Sequence, residues 1–106
     1  MQNSFGLNDI VLRQIIELAQ KRNITKVILF GSRARGDFKK KSDIDLAVLG
    51  ENIAEFSFDV DELTDTLLKY DIIDLNSNIS DELLKNIQNE GIIIYEKIWK
   101  LLQSLK

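Results

Sequence analysis

Lys26-Val27-Ile28-Leu29-Phe30 runs directly into Gly31-Ser32, and no other stretch limits the fold as tightly. A five-residue run that is apolar on both faces predicts a strand interior to a sheet, because an edge or surface strand would alternate. Gly31-Ser32 ends it with two small residues that let the backbone turn sharply.

The remaining pattern supplies partners for that strand. Asn8 caps a first helix in which Val11, Ile15, Leu18 and Leu12, Ile16, Ala19 form one broad apolar face; Lys21 and Arg22 lie near its end and Asn23 stops it. Asp43 to Leu49 reads as a second strand, with Asp43, Asp45, Ala47 and Leu49 on one face and Ile44, Leu46 and Val48 on the other. Phe56, Val60, Leu63 and Leu67 stand at helical spacing and predict a helix over 57–69 laid on the sheet. Asp71 to Leu75 is a third strand. Ser80 opens a helix with Asp81 and Glu82 in its first turn, Leu83, Leu84 and Ile87 on its buried side and Gly91 as its stop. Ile92 to Tyr95 predicts a short last strand, and Ile98, Leu101, Leu102 and Leu105 predict a terminal amphipathic helix carrying Trp99. Helices alternating with strands indicate an α/β or α+β fold with one sheet, and 106 residues suit a single domain spanning 1–106. The pattern does not give the strand order.

Composition removes several chemistries. The chain has no cysteine and no histidine, so thiol nucleophiles, disulfides, histidine bases and the usual zinc ligands are excluded. Any metal must sit on oxygen ligands, which points to magnesium or manganese. No apolar run approaches the roughly 20 residues of a membrane span, and residues 1–23 lack the layout of a signal peptide; the expectation is a cytoplasmic protein without a membrane partner. A net charge of −3 argues against direct nucleic-acid binding. Charge is unevenly distributed: Arg33, Arg35, Lys39, Lys40 and Lys41 face only Asp37 within 33–41, whereas 51–82 is acidic apart from Lys69. That asymmetry suits either an anion-receiving corner or two solvated faces.

Asp43 and Asp45 project from one side of one strand, so their carboxylates repel unless a cation lies between them. Such a pair, with no histidine in the chain, suits a divalent metal, although a surface strand also alternates acids with apolar residues. Gly31-Ser32 offers close backbone approach, a hydroxyl and amide donors, and Arg33 and Arg35 add positive charge; an ordinary capped turn would look the same. Together, an anion seat and a metal clamp on neighbouring strands indicate a nucleotide–metal site. The Gly-Lys-Ser/Thr ending of a Walker loop is absent.

Gly31-Ser32, ten residues, then Asp43-Ile44-Asp45 resembles the signature of the DNA polymerase β-type nucleotidyltransferases. The chain's size and its Glu90-Gly91-Ile92-Ile93-Ile94-Tyr95 ending are similar to the minimal nucleotidyltransferase, or MNT, branch. The resemblance implies a small mixed β-sheet flanked by helices, and transfer of a nucleoside monophosphate from an NTP to a hydroxyl with loss of pyrophosphate. It implies catalytic, metal-holding roles for Asp43, Asp45 and a third carboxylate in a hydrophobic setting. Tyr70-Asp71-Ile72-Ile73-Asp74 offers two candidates on opposite strand faces, and Asp71 fits the pattern better than Asp74. Gly31, Ser32, Arg33 and Arg35 are the implied nucleotide-binding residues, with two Mg2+ ions, or Mn2+ in their place, and ATP as substrate.

No acceptor pocket is visible in the pattern, and a chain of this size leaves no room for an acceptor-binding domain, so a separate protein is expected to bring the hydroxyl. The resemblance names one: MNT proteins are type VII antitoxins that silence a HEPN-domain ribonuclease toxin by adding AMP to a tyrosine. The acidic segment 51–82 and the end around Trp99 are candidate docking surfaces. Two other readings share the same residues: an antitoxin that neutralises its partner by binding alone, and the catalytic subunit of a small-molecule nucleotidyltransferase.

Overall fold

Asn8 starts α1 (Asp9–Lys21) by accepting a hydrogen bond from the Ile10 N–H at 2.8 Å, which satisfies one of the donors a helix N-terminus leaves unpaired. Val11, Ile15 and Ala19 bury that helix against the sheet, and Asn23, at φ 59°, turns the chain into β1 (Ile24–Phe30). The computed structural model describes residues 3–97. After β1 come α2 (Gly31–Arg35), β2 (Ile44–Gly50), α3 (Ile53–Leu63), β3 (Tyr70–Asp74), α4 (Asp81–Glu90) and β4 (Ile92–Glu96). The terminal helix expected from Ile98 lies outside the described residues.

The strands form one mixed sheet in the order β3-β2-β1-β4. β1 is interior, as its two apolar faces demand, and it runs antiparallel to both β2 and β4. β2 and β3 are parallel and joined through α3, the crossover that parallel neighbours require. One face of the sheet carries Ile44, Leu46 and Val48 with Val27 and Leu29, packed against Val11, Ile15, Phe56 and Val60 of α1 and α3. The other carries Phe30 and Ala47 with Ile87 of α4. Alternation along β2 therefore assigns Asp45 to the second face, at the end of the strand where α2 begins.

Two expectations need correction. The helix predicted over 57–69 is α3, Ile53–Leu63. Of the four apolar positions that suggested it, Phe56 and Val60 are buried while Leu63 and Leu67 are exposed. Thr64 breaks the helix by turning extended, at φ −97° and ψ 150°. Its hydroxyl donates to the Val60 carbonyl at 2.6 Å and accepts from the Tyr70 hydroxyl at 2.8 Å, a local side-chain bond of the kind that competes with helix continuation. In α4, Ser80 caps as expected and Ile87 is buried, but Leu84 is 37% exposed and does not join the core. Gly91 does stop α4, through close approach rather than a left-handed turn: its backbone is extended at φ −64°, and a Cβ there would lie 2.3 Å from the Ile87 carbonyl oxygen.

Candidate active site

Two aspartates pair across adjacent strands at one end of β2 and β3, and a third lies just before β2. Asp45 is the register partner of Asp71 in the parallel pair, so both side chains leave the same face of the sheet. Asp43 precedes β2 by one residue and two residues before Asp45, on the same alternation. Asp74 pairs with Val48 and therefore belongs to the opposite face. Its carboxylate accepts the Asn76 N–H at 2.8 Å and its carbonyl accepts the Ser77 hydroxyl at 2.6 Å, so Asp74 builds the turn after β3. Register thus places Asp71, and not Asp74, beside Asp45.

The electrostatics follow from that crowding. Burial, the Asp71 charge and the Asp43 charge together push the Asp45 carboxyl up to about 6, against weaker opposite pulls from Arg35 and Arg33. A half-buried carboxylate with two anionic neighbours is under-compensated. Among the described residues no three carboxylates converge on a single point. Magnesium, however, is commonly held by one or two carboxylates with substrate phosphates completing its shell. An all-oxygen donor set with excess negative charge therefore fits divalent cations.

Gly31 supports this arrangement by lacking a side chain. It sits at φ 74°, and a Cβ on it would lie 2.1 Å from Oδ2 of Asp45, so the α2 turn and the carboxylate touch only because the residue is glycine. Ser32 follows in the first turn of α2, half-buried. Gly36, at φ 94°, closes the turn by donating its N–H to the Ser32 carbonyl at 2.9 Å.

The two arginines of this turn are placed differently from each other. Arg33 is 1% exposed. Its Nε and Nη2 donate to the Ser42 carbonyl at 3.1 and 2.9 Å, Nη2 also to Lys40 O at 3.4 Å, and Nη1 to Phe5 O at 3.0 Å and Gly6 O at 3.3 Å. Its guanidinium carbon lies 5.0 Å from the centroid of the Phe38 ring. The expectation that Arg33 adds charge to a phosphate seat meets a group whose donors already serve four carbonyls. It clamps the loop that delivers Asp43 instead. Arg35 is exposed and pairs with Asp37 at 3.3 Å and with Glu90 of α4 at 2.5 Å. Of the basic run, Lys39, Lys40 and Lys41 are exposed and carry no ion pair among the described residues.

Sequence reasoning missed Glu90 as the partner of Arg35, 55 positions away; only the sheet order brings α2 and α4 together. It also missed the docking of the Phe5-Gly6 carbonyls onto Arg33. Gly6 was the available signal: a Cβ there would lie 2.2 Å from the Phe38 ring.

The polymerase β nucleotidyltransferase family model matches residues 13–98. The chain is 37% identical over 82 residues to the "Putative protein adenylyltransferase" of Methanocaldococcus jannaschii, a match covering 68% of this chain and 79% of that protein. Among solved structures it is similar to a chain of a toxin–antitoxin pair crystallised with AMP-PNP, at 28% identity and TM-score 0.66, covering 84% of this chain and 76% of that one. A chain from the complex of tri-AMPylated Shewanella oneidensis HEPN toxin with MNT antitoxin shares the fold, at TM-score 0.62 and 24% identity over 89% of this chain and 76% of that one. No described helix is long and apolar enough to cross a membrane. A family match spanning most of the chain, on a fold whose parallel strands bring Asp45 against Asp71, shows that this protein belongs to the polymerase β-type nucleotidyltransferases and is an enzyme of that class.

Proposed function

We propose that this protein is a magnesium-dependent adenylyltransferase of the cytoplasm that moves AMP from ATP to a tyrosine hydroxyl of a HEPN-domain toxin, and thereby acts as its antitoxin. The observation that carries this reading is the Asp45–Asp71 pairing across adjacent parallel strands, with Gly31 packed on Asp45. The adenylyltransferase name of the 37% relative supports AMP as the group moved, and the AMP-PNP complex of a 28% relative supports ATP as its donor. That toxin–antitoxin relative supports a protein acceptor.

Asp43, Asp45 and Asp71 would hold two magnesium ions, or manganese in their place, which when bound offset negative charge on the phosphates and on the attacking oxygen. Ser32, through its hydroxyl and the neighbouring amides, binds the triphosphate tail. Arg35, the exposed arginine of the turn, exchanges Asp37 and Glu90 for the β- and γ-phosphates, meeting the charge that develops on the leaving pyrophosphate. Arg33 acts at a distance by fixing Ser42 and hence Asp43. The tyrosine oxygen attacks the α-phosphorus as its proton passes to Asp71; the bond to the β-phosphate oxygen breaks and pyrophosphate leaves.

Intact-mass measurement of the HEPN-domain partner after incubation with Mg-ATP tests this reading. An increment of one or more AMP groups, lost when the tyrosine becomes phenylalanine, is the expected result. A stable complex with unmodified partner would instead show an antitoxin that acts by binding alone.

A further inference from the structure

A cleft of about 530 Å³ opens at the N-terminal ends of β2 and β3, lined by Lys41, Asp43, Leu67, Leu68 and Lys69. Leu67 stands fully exposed in the segment between α3 and β3, and neither Lys41 nor Lys69 has a carboxylate partner among the described residues. Lys69 is also the only cation in the acidic stretch 51–82. The walls thus combine an apolar shelf, two uncompensated ammonium groups and one carboxylate of the catalytic set.

We infer that this cleft is the acceptor site, and that it takes an aromatic hydroxyl seated against Leu67 and Leu68 on a protein segment whose neighbouring residues are acidic. The inference rests on the proposed function in placing the triphosphate tail at Ser32. Across the sheet, α2 follows β1, Asp45 lies on β2 and Asp71 on β3. Displacement at phosphorus aligns the attacking oxygen opposite the leaving one. A leaving group on the β1 side therefore requires the acceptor to approach from the β3 side, where the cleft opens. Lys41 and Lys69 then complement acidic residues flanking the hydroxyl and disfavour basic ones.

Two synthetic peptides test the assignment, one with a tyrosine between glutamates and one with a tyrosine between lysines, each incubated with α-labelled Mg-ATP and the full chain. Wild-type protein is expected to label the glutamate peptide preferentially. The double variant Lys41→Glu/Lys69→Glu is expected to raise the KM for that peptide at least about tenfold and to reverse the preference, while AMP-PNP affinity by calorimetry stays within about twofold. Leu67→Asp, on an exposed side chain, is expected to raise both peptides' KM. A parallel loss of AMP-PNP affinity would make the cleft a nucleoside site and overturn the inference, as would unchanged KM and preference in variants of a protein that labels peptide. Wild-type protein that binds AMP-PNP yet labels neither peptide nor a HEPN-domain partner would overturn the inference and the proposed function together.

Discussion

Gly31 and Asp45 cannot be altered independently, since a methyl group on the first occupies the space of the second's carboxylate. Gly31→Ala adds strain at φ 74° to that collision, and the expected cost is about 1–3 kcal/mol in thermal or urea unfolding, with transfer activity lost because Asp45 is displaced. Asp45 also makes a pH-dependent prediction. Its carboxyl gives up a proton near 3.8 when unfolded and only near 6 in the metal-free fold. Between those values the unfolded state is the more ionised, so stability declines as pH rises from about 4 to 6 and the deficit persists above. Asp45→Asn removes the deficit. After allowance for solvent screening of a half-buried group, the metal-free variant is expected to melt a few degrees, about 4 °C, above wild type near pH 7.5 and level with it near pH 3.5. Added magnesium should stabilise wild type and not the variant. Arg33→Met leaves the carbonyls of Phe5, Gly6, Lys40 and Ser42 without this donor; an expected loss of about 1–3 kcal/mol follows from these partly buried acceptors losing their partner, measurable by chemical denaturation.

At the scale of elements, α2 is short and works because other elements hold it. Arg33 ties it to the loops before α1 and before β2, and Arg35 ties it to α4 through Glu90. Glu90→Gln frees Arg35 from one of its two carboxylates, and the expected result is a higher affinity for AMP-PNP with little change in stability, because Arg35 is exposed and keeps its pair with Asp37. Lower affinity would assign Arg35 to structure alone. The end of α3 is set by Thr64 rather than by the apolar spacing that runs on through Leu67. Thr64→Val keeps the shape but takes the partner from the partly buried Tyr70 hydroxyl, with an expected cost of about 1–2 kcal/mol. That one threonine explains why the sequence pattern overran the helix: spacing records which positions are apolar, and a side-chain bond to the Val60 carbonyl leaves no periodic trace.

For the whole molecule, β1 was legible as an interior strand from its own residues, and so were both caps at Asn8 and Ser80, because each depends on local chemistry. Gly31-Ser32 and the acids Asp43, Asp45, Asp71 and Asp74 stood out as candidates from their own residue types and spacing, but which of them lie side by side did not. Whether Asp71 or Asp74 joins Asp45 depends on parallel register, and the different placements of Arg33 and Arg35 depend on segments 28 and 55 residues distant. Long-range pairing of this kind is fixed by the packing of the whole sheet and leaves little local signal. The central claim, that Asp43, Asp45 and Asp71 form the nucleotidyl-transfer site, is tested most directly by transfer of label from α-labelled Mg-ATP to the proposed acceptor, a HEPN-domain protein. Wild type should be compared with Asp43→Asn, Asp45→Asn, Asp71→Asn and, as a control from the opposite face, Asp74→Asn. The first three, folded by circular dichroism, are expected to lose transfer by at least about 100-fold, more than the loss typical of a group that only supports a metal ligand, while Asp74→Asn retains it. Transfer at the wild-type rate by folded Asp45→Asn protein would contradict the account.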